Sequence, residues 1–385
     1  MNTQLPKVIL HEHIEGSVTP EMALILAQKH NAILPDHFLY QEGEYDRNEF
    51  PNGRYNYDES DFGAFVATYD TVAALVRDPD DYYLVVKDYL LRNAEKGLVY
   101  CEIITSAFHL CYTEEPDGTG ELDSTKYHQI MDAIERAIAE VKVQYGTETR
   151  LQACGVRHLS HEHLNLSVDF IQQQPRAMIT GFNIAGNEMA GEFSDFSYVH
   201  ELVGKIPLDK SYHAGEICGP ESIHQAIKYG AKRIGHGIAA IKDEALIAQL
   251  IRDNITLEVA PTSNRILVAE LNQSLDNHPL RKLYEKGVRL SINTDDAGLF
   301  GTDIEKEYQI AATQFAFSRV ELLDVTLCAL EAAFVESDLK QALIERVYQQ
   351  FSEQDWNELR GLCATLSPGA LQQRLVTRLQ FDPSV

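Results

Sequence analysis

Residues 211–237, SYHAGEICGPESIHQAIKYGAKRIGHG, decide the fold. Ser211–Gly215 is a short run that ends in polar residues. Gly219-Pro220 opens a stretch over Glu221–Tyr229 with helical spacing, and Arg233–Gly237 is a second short run. Strand, helix and strand in this order form the repeating unit of a parallel sheet covered by helices.

The same pattern recurs on both sides. Further candidate strands are Lys7–His13, Leu98–Ser106, Leu151–His158, Ala177–Ala185, Ile255–Ala260 and Val288–Asn293, each apolar or β-branched and bounded by polar, Gly or Pro residues. Asp243–Arg252 is another helical stretch. Eight strands alternating with helices is the count that closes a (β/α)8 TIM barrel, and such barrels reach this length as one unit. The chain of 385 residues is therefore expected to be a single α/β domain over 1–385. About ninety residues separate the first two strands, too many for one crossover helix. Tyr55–Asn93 reads as two helices, with Phe62, Phe65, Tyr69, Val72 and Leu75 along the first, so 30–97 is expected to be a helical insertion covering the barrel mouth. Val320–Val335 and Asp338–Phe351 open a helical C-terminal extension over 320–385.

Composition narrows the function classes. Thirty-three basic against fifty-eight acidic residues give a formal charge of -25, which repels nucleic acid and anionic membranes. No run of about 18 uncharged apolar residues occurs, and MNTQLPKVIL lacks the pattern of a secretion signal. Six cysteines are scattered without CxxC spacing, as expected of free thiols in a reducing compartment. These features point to a cytoplasmic enzyme acting on a small molecule.

Chemistry-bearing residues cluster at strand ends. The first strand ends His11-Glu12-His13, and alternation puts both imidazoles on the side facing the barrel interior, with Glu12 opposite. His213 and Glu216 end the fifth strand, His236 the sixth, and Asp295-Asp296 the eighth. Three histidines and a carboxylate suit one zinc ion with a position left for water. An HxH pair alone is weak, and His161-Glu162-His163 repeats the triplet within this chain. That copy follows Ser160 and precedes an amphipathic run, so it reads as a solvated first turn of a capped helix. Position at the end of strand one, in register with His213 and Asp295, selects the first triplet.

The sequence resembles the adenosine deaminase family. PKVILHEHIEGSVTPE, ITGFNIAGNE, YHAGEICGPESI, RIGHGIAAIKDEAL, LEVAPTSN and LSINTDDAGLFGTDIEKEY follow in the family's order over most of the chain. The resemblance implies one zinc ion per chain held by His11, His13, His213 and Asp295. It implies Glu216 as the acid that protonates purine N1, with His236 and Asp295 orienting a water and helping to take its proton. Substrate contacts would come from His13, Glu15, the Gly186 N–H facing N3, and Asp296 facing N7. Two-metal barrel hydrolases carry a bridging lysine on the fourth strand, whereas AMITGFNIAG has none; cytidine-type deaminases carry PCxxC, also missing here.

Substrate choice is less constrained. Glu15 stands where many adenosine deaminases carry Asp toward the ribose 5′-hydroxyl, and HIEGS also occurs in the adenine deaminase branch. Asn187 and Ala297 also depart from the family pattern. The expected reaction is adenosine or 2′-deoxyadenosine to inosine and ammonia. The alternative is adenine or another 6-aminopurine nucleoside, aminodeoxyfutalosine among them. AMP calls for a basic cluster that the strand-end motifs lack, with Arg157 and Arg265 the candidates near strand ends. An inactive binding module is a third reading, opposed by intact Glu216, His236 and Asp296.

Overall fold

The structure is a computed structural model and describes every residue except 1–3, 60, 115–119, 206, 272 and 384–385. The start of the N-terminal stretch and the last two residues of the tail thus lie outside the described residues. Eight strands lie in one parallel sheet in sequence order: β1 Lys7–Ile9, β2 Leu98–Ser106, β3 Glu148–Val156, β4 Ile179–Ala185, β5 Asp209–Ala214, β6 Arg233–His236, β7 Thr256–Val259 and β8 Arg289–Ile292. All eight expected strands are present. Their buried, β-branched faces are covered by helices, as an all-parallel sheet requires.

β1 is shorter than the expected Lys7–His13. Beyond Ile9 the chain bends at Leu10 and then divides its pairing between two neighbours, so it no longer forms a regular ladder. The Ile104 N–H donates to the Glu12 carbonyl at 2.7 Å on one side. On the other, the His13 N–H donates to the Asp295 carbonyl at 2.7 Å and the Asp295 N–H to the His11 carbonyl at 3.0 Å. The Leu10 N–H also donates to Asn293 Oδ1 at 2.8 Å. These bonds close the barrel, giving the TIM architecture. Glu12 points away from His11 and His13, as alternation requires, and is buried; its carboxylate accepts from Thr294 Oγ1 and from the Ala297 N–H.

The barrel interior contains a polar layer. Arg233 on β6 is 1% exposed and spans the lumen. Its Nε donates to Glu258 on β7 at 2.5 Å, its other nitrogens donate to Glu102 on β2 at 2.5 and 3.1 Å, and Phe334 stacks 3.5 Å from the guanidinium. Burial opposes ionisation of Glu258, but Arg233 and His11 hold its carboxyl below the usual range.

After β1 come helix α1 (Pro20–His30), helix α2 (Phe62–Ala73) and helix α3 (Pro79–Ala94). Residues 31–59 contain no helix and are irregular apart from a Leu39–Tyr55 bridge, so the segment read as helical is half loop. α3 packs on the helix Ser124–Tyr145 outside the barrel, whereas α2 lies across its mouth. A small hairpin pairs Tyr112–Glu114 with Gly120–Leu122, a feature without a sequence expectation above. In the tail, helix Arg319–Ala332 covers β8 and β1. Buried Asp324 accepts from Arg374 and Arg378 at 3.0 Å each, tying down the last helix, Ala370–Arg378. All six cysteines are unpaired, and among the described residues no helix is long and apolar enough to cross a membrane.

Replacing Arg233 by Met removes the cation that bridges two fully buried carboxylates. Urea denaturation should show a loss of about 3–5 kcal/mol; a change near zero would mean that Glu102 and Glu258 are neutral without it.

Candidate active site

The C-terminal ends of the strands line a cavity of about 700 Å³, counted out to its mouth. His13, Glu15, Gly186, His213, Glu216, His236, Asp295 and Asp296 all face it, and α2 roofs it with Phe62, Phe65 and Tyr69. His11 lies beneath, fully buried. His236 and Asp295 both adopt left-handed backbone, with φ of 60° and 63°. Non-glycine residues adopt this conformation uncommonly and at a cost in backbone strain. Gly186, at φ 89°, admits no side chain: a Cβ would fall 2.4 Å from His158 Nδ1.

His11, His13, His213 and Asp295 each offer one ligand atom, all within 4.8 Å of one another. Hydrogen bonds behind the rings determine which nitrogens face inward. His11 Nδ1 donates to Glu258 Oε2 at 2.8 Å, and His213 Nδ1 donates to Asn183 Oδ1 at 2.8 Å. In the neutral rings the Nε2 lone pairs must then point at each other, 3.0 Å apart, with His13 Nε2 only 3.1 Å from His213 Nε2. Asp295 Oδ1 is 3.2 Å from His11 Nε2. Lone pairs and an anionic oxygen this close require a positive charge among them. A proton on His11 is one such charge: burial opposes it, but hydrogen bonds to Asp295 and Glu258 raise the group to about 10. A divalent cation is the other, and binding it would displace that proton. Asn183 occupies the strand where a two-metal site would need lysine. The donor set fits one zinc-like ion, with carboxylate–histidine and amide–histidine supports behind it.

Beside this cluster the carboxyl groups are driven apart. Glu216, 9% exposed, leaves Oε1 with no partner, and burial followed by the charges of Asp295 and Glu188 raises it well above the usual range. Asp296 also has a buried, unpartnered oxygen and is raised by burial and by Asp295. Asp295 goes the other way: burial opposes its ionisation, but His236 and His11 hold it well below. Its Oδ2 accepts from Ser263 at 2.6 Å and lies 4.0 Å from His236 Nε2. The arrangement thus sets a carboxyl shifted up, Glu216, against one shifted down, Asp295, across one cavity, the pattern that separates an acid from a base.

Glu15 is 2% exposed and already engaged, accepting from Tyr69 at 3.0 Å and Tyr82 at 3.3 Å. Arg157 is buried outside the cavity and donates to the carbonyls of Glu188 and His213, so it supplies no phosphate contact. The second triplet behaves as a helix start: Ser160 caps His161–Gln173 by accepting from the His163 N–H, and His161 is exposed.

Several site residues escaped the sequence reading. Glu188 accepts from four successive backbone N–H groups, Gly215 to Cys218, and from Ser222, and so moulds the loop that carries Glu216. Glu258 and Asn183 orient two histidines, while Ser263 and Asn264 support Asp295 and His236. A charged or amide side chain inside an apolar buried strand, as in TLEV and ITGFNIA, was the available signal, since such groups must be paired.

The family described as adenosine deaminase matches residues 6–350. The chain belongs to the adenosine deaminase family. An adenine deaminase from Sinorhizobium medicae is 34% identical over 349 residues, covering 90% of this chain and all of the relative. In fold, the chain is similar to an adenine deaminase from Arthrobacter aurescens, with a TM-score of 0.75 at 23% identity over 90% of this chain and 98% of that one. An amidohydrolase from Burkholderia ambifaria, solved with bound Zn, gives a TM-score of 0.75 at 21% identity over 93% of both chains.

Asn183→Ala should weaken metal affinity 10- to 100-fold in chelator competition, because His213 loses the bond that sets its tautomer. Unchanged affinity would mean that Asn183 does not orient the ring.

Proposed function

We propose that this chain hydrolytically deaminates a 6-aminopurine, with free adenine ahead of adenosine. The chemistry rests on the opposed ionisation of Glu216 and Asp295 across the cavity, and the substrate order rests on Glu15. The sequence alone placed adenosine first; the adenine deaminases among the relatives and the surroundings of Glu15 favour the reverse order.

His11, His13, His213 and Asp295 would hold the metal. Zinc bound there supplies a water acidic enough to attack at neutral pH. Glu216, kept protonated by burial, donates to N1 and makes C6 electrophilic. Asp295 takes the proton of the attacking water, and His236 faces the same oxygen. The C6–N bond then breaks, Asp295 passes its proton to the departing amine as ammonia, and the second water proton restores the Glu216 acid. Asp296, the Gly186 N–H and His13 hold the ring.

With N1 at Glu216, N7 at Asp296 and N3 at Gly186, the purine turns N9 toward Glu15. Tyr69 and Tyr82 already take one lone pair on each oxygen of that buried carboxylate, so a ribose hydroxyl would compete with them for a crowded acceptor. A bare N9–H needs only an acceptor, and His109 Nδ1, buried without a partner 3.8 Å from Glu15, can accept it.

Loss of purine absorbance should be fastest with adenine when compared with adenosine, 2′-deoxyadenosine, AMP and aminodeoxyfutalosine. Faster turnover of adenosine would reverse the substrate order, and no change with any of them in metal-replete protein would sink the deaminase assignment. Glu216→Gln should keep metal and purine binding while kcat falls about 10²- to 10⁴-fold, because an amide cannot donate the N1 proton.

A further inference from the structure

His278 and Asn264 take no part in the steps above, yet both are buried in a line of hydrogen bonds that ends on His236. The Leu280 backbone N–H donates to His278 Nδ1 at 3.1 Å. A peptide N–H can only donate, so this ring nitrogen carries a lone pair. Burial pushes His278 down to about 3, so the ring is neutral and its one proton sits on Nε2. Nε2 therefore donates to Asn264 Oδ1, 3.3 Å away. The flipped amide would set N–H against N–H. Asn264 Nδ2 must then face His236 Nδ1 and donate to it, at 3.0 Å. The other neighbour of that nitrogen, Glu216 Oε1, is 3.6 Å away, beyond hydrogen-bond reach.

We infer that the Leu280–His278–Asn264 line holds His236 with its proton on Nε2, so that His236 acts as a hydrogen-bond donor to the reacting oxygen and His278 and Asn264 are its positioning residues. The inference rests on the deamination reading and assigns that reaction's proton traffic. His236 Nε2 faces the cavity beside Asp295 Oδ2, keeps its proton and donates to the oxygen on which charge develops. Removal of the water's proton then falls to Asp295. This inverts the arrangement in which a carboxylate accepts Nδ1–H and leaves Nε2 free as a base.

Nitrogen-15 NMR of the zinc-loaded full chain, labelled at histidine, reads the tautomer directly. The His236 signals, identified by their loss in His236→Gln, should show a protonated Nε2 and a bare Nδ1. A protonated Nδ1 overturns the inference. This readout needs no turnover, so it stands whichever purine, or none, is deaminated. Asn264→Asp exchanges the donor for an acceptor and should move the proton to Nδ1, lowering kcat about 10³-fold with KM and zinc content nearly unchanged. An Asn264→Asp protein with full zinc and kcat within twofold of the parent would also overturn it. His278→Gln, whose amide can bridge Leu280 and Asn264, should retain more kcat than His278→Ala; equal losses would assign His278 to packing alone.

Discussion

The barrel closes through the residues that form its site. Strand one reaches strand eight by the bonds between His11, His13 and Asp295, so two histidines and the carboxylate are brought together by main-chain geometry. Their side chains need no separate search for one another. The bonds sit at the C-terminal ends of the strands, and Glu12 on the reverse face clasps Thr294 and Ala297 to reinforce them. A TIM barrel could close with apolar side chains at this point. Here closure sets Asp295 Oδ1 and three imidazole nitrogens so close that a positive charge has to sit among them.

Behind the site, burial makes every polar group depend on its partner. Arg233 neutralises Glu258, Glu258 orients His11, and His11 faces the cluster. A buried carboxylate without a cation is costly, and a metal-facing imidazole without a bond on its other nitrogen turns freely. The same arginine therefore serves stability at the barrel's centre and orientation at its rim. On the opposite wall Glu188 plays a comparable part by collecting four backbone N–H groups under Glu216. Its negative charge adds to that of Asp295 in raising Glu216 above the usual carboxylate range. Under the proposed reaction, that support favours the protonated form of Glu216 that donation to N1 requires.

Much of this was legible in the chain. All eight strands were, because alternating short apolar runs and helical spacing are local properties. The different settings of the two triplets were legible too: His11-Glu12-His13 continues the path of strand one, and His161-Glu162-His163 follows a capping serine. The insertion was read less well. Residues 31–59 hold polar and turn-forming residues without helical spacing, and their path is set by packing over the barrel. Strand one came out short because its last residues pair with two neighbours, which no pattern within one strand reveals.

What the sequence by itself determined was the barrel and the set of groups that could do chemistry, since both follow from residue type and short-range spacing. Tertiary structure alone decided how those groups are held. His11 meets Glu258 across 247 positions, and Glu188 meets the Glu216 loop across 28. Tyr69 and Tyr82 both donate to Glu15, a contact across 54 and 67 positions. Such pairings depend on strand stagger and on which side chains share a buried layer. Their energy comes from removing water around both partners at once, and periodicity along one segment carries no trace of that.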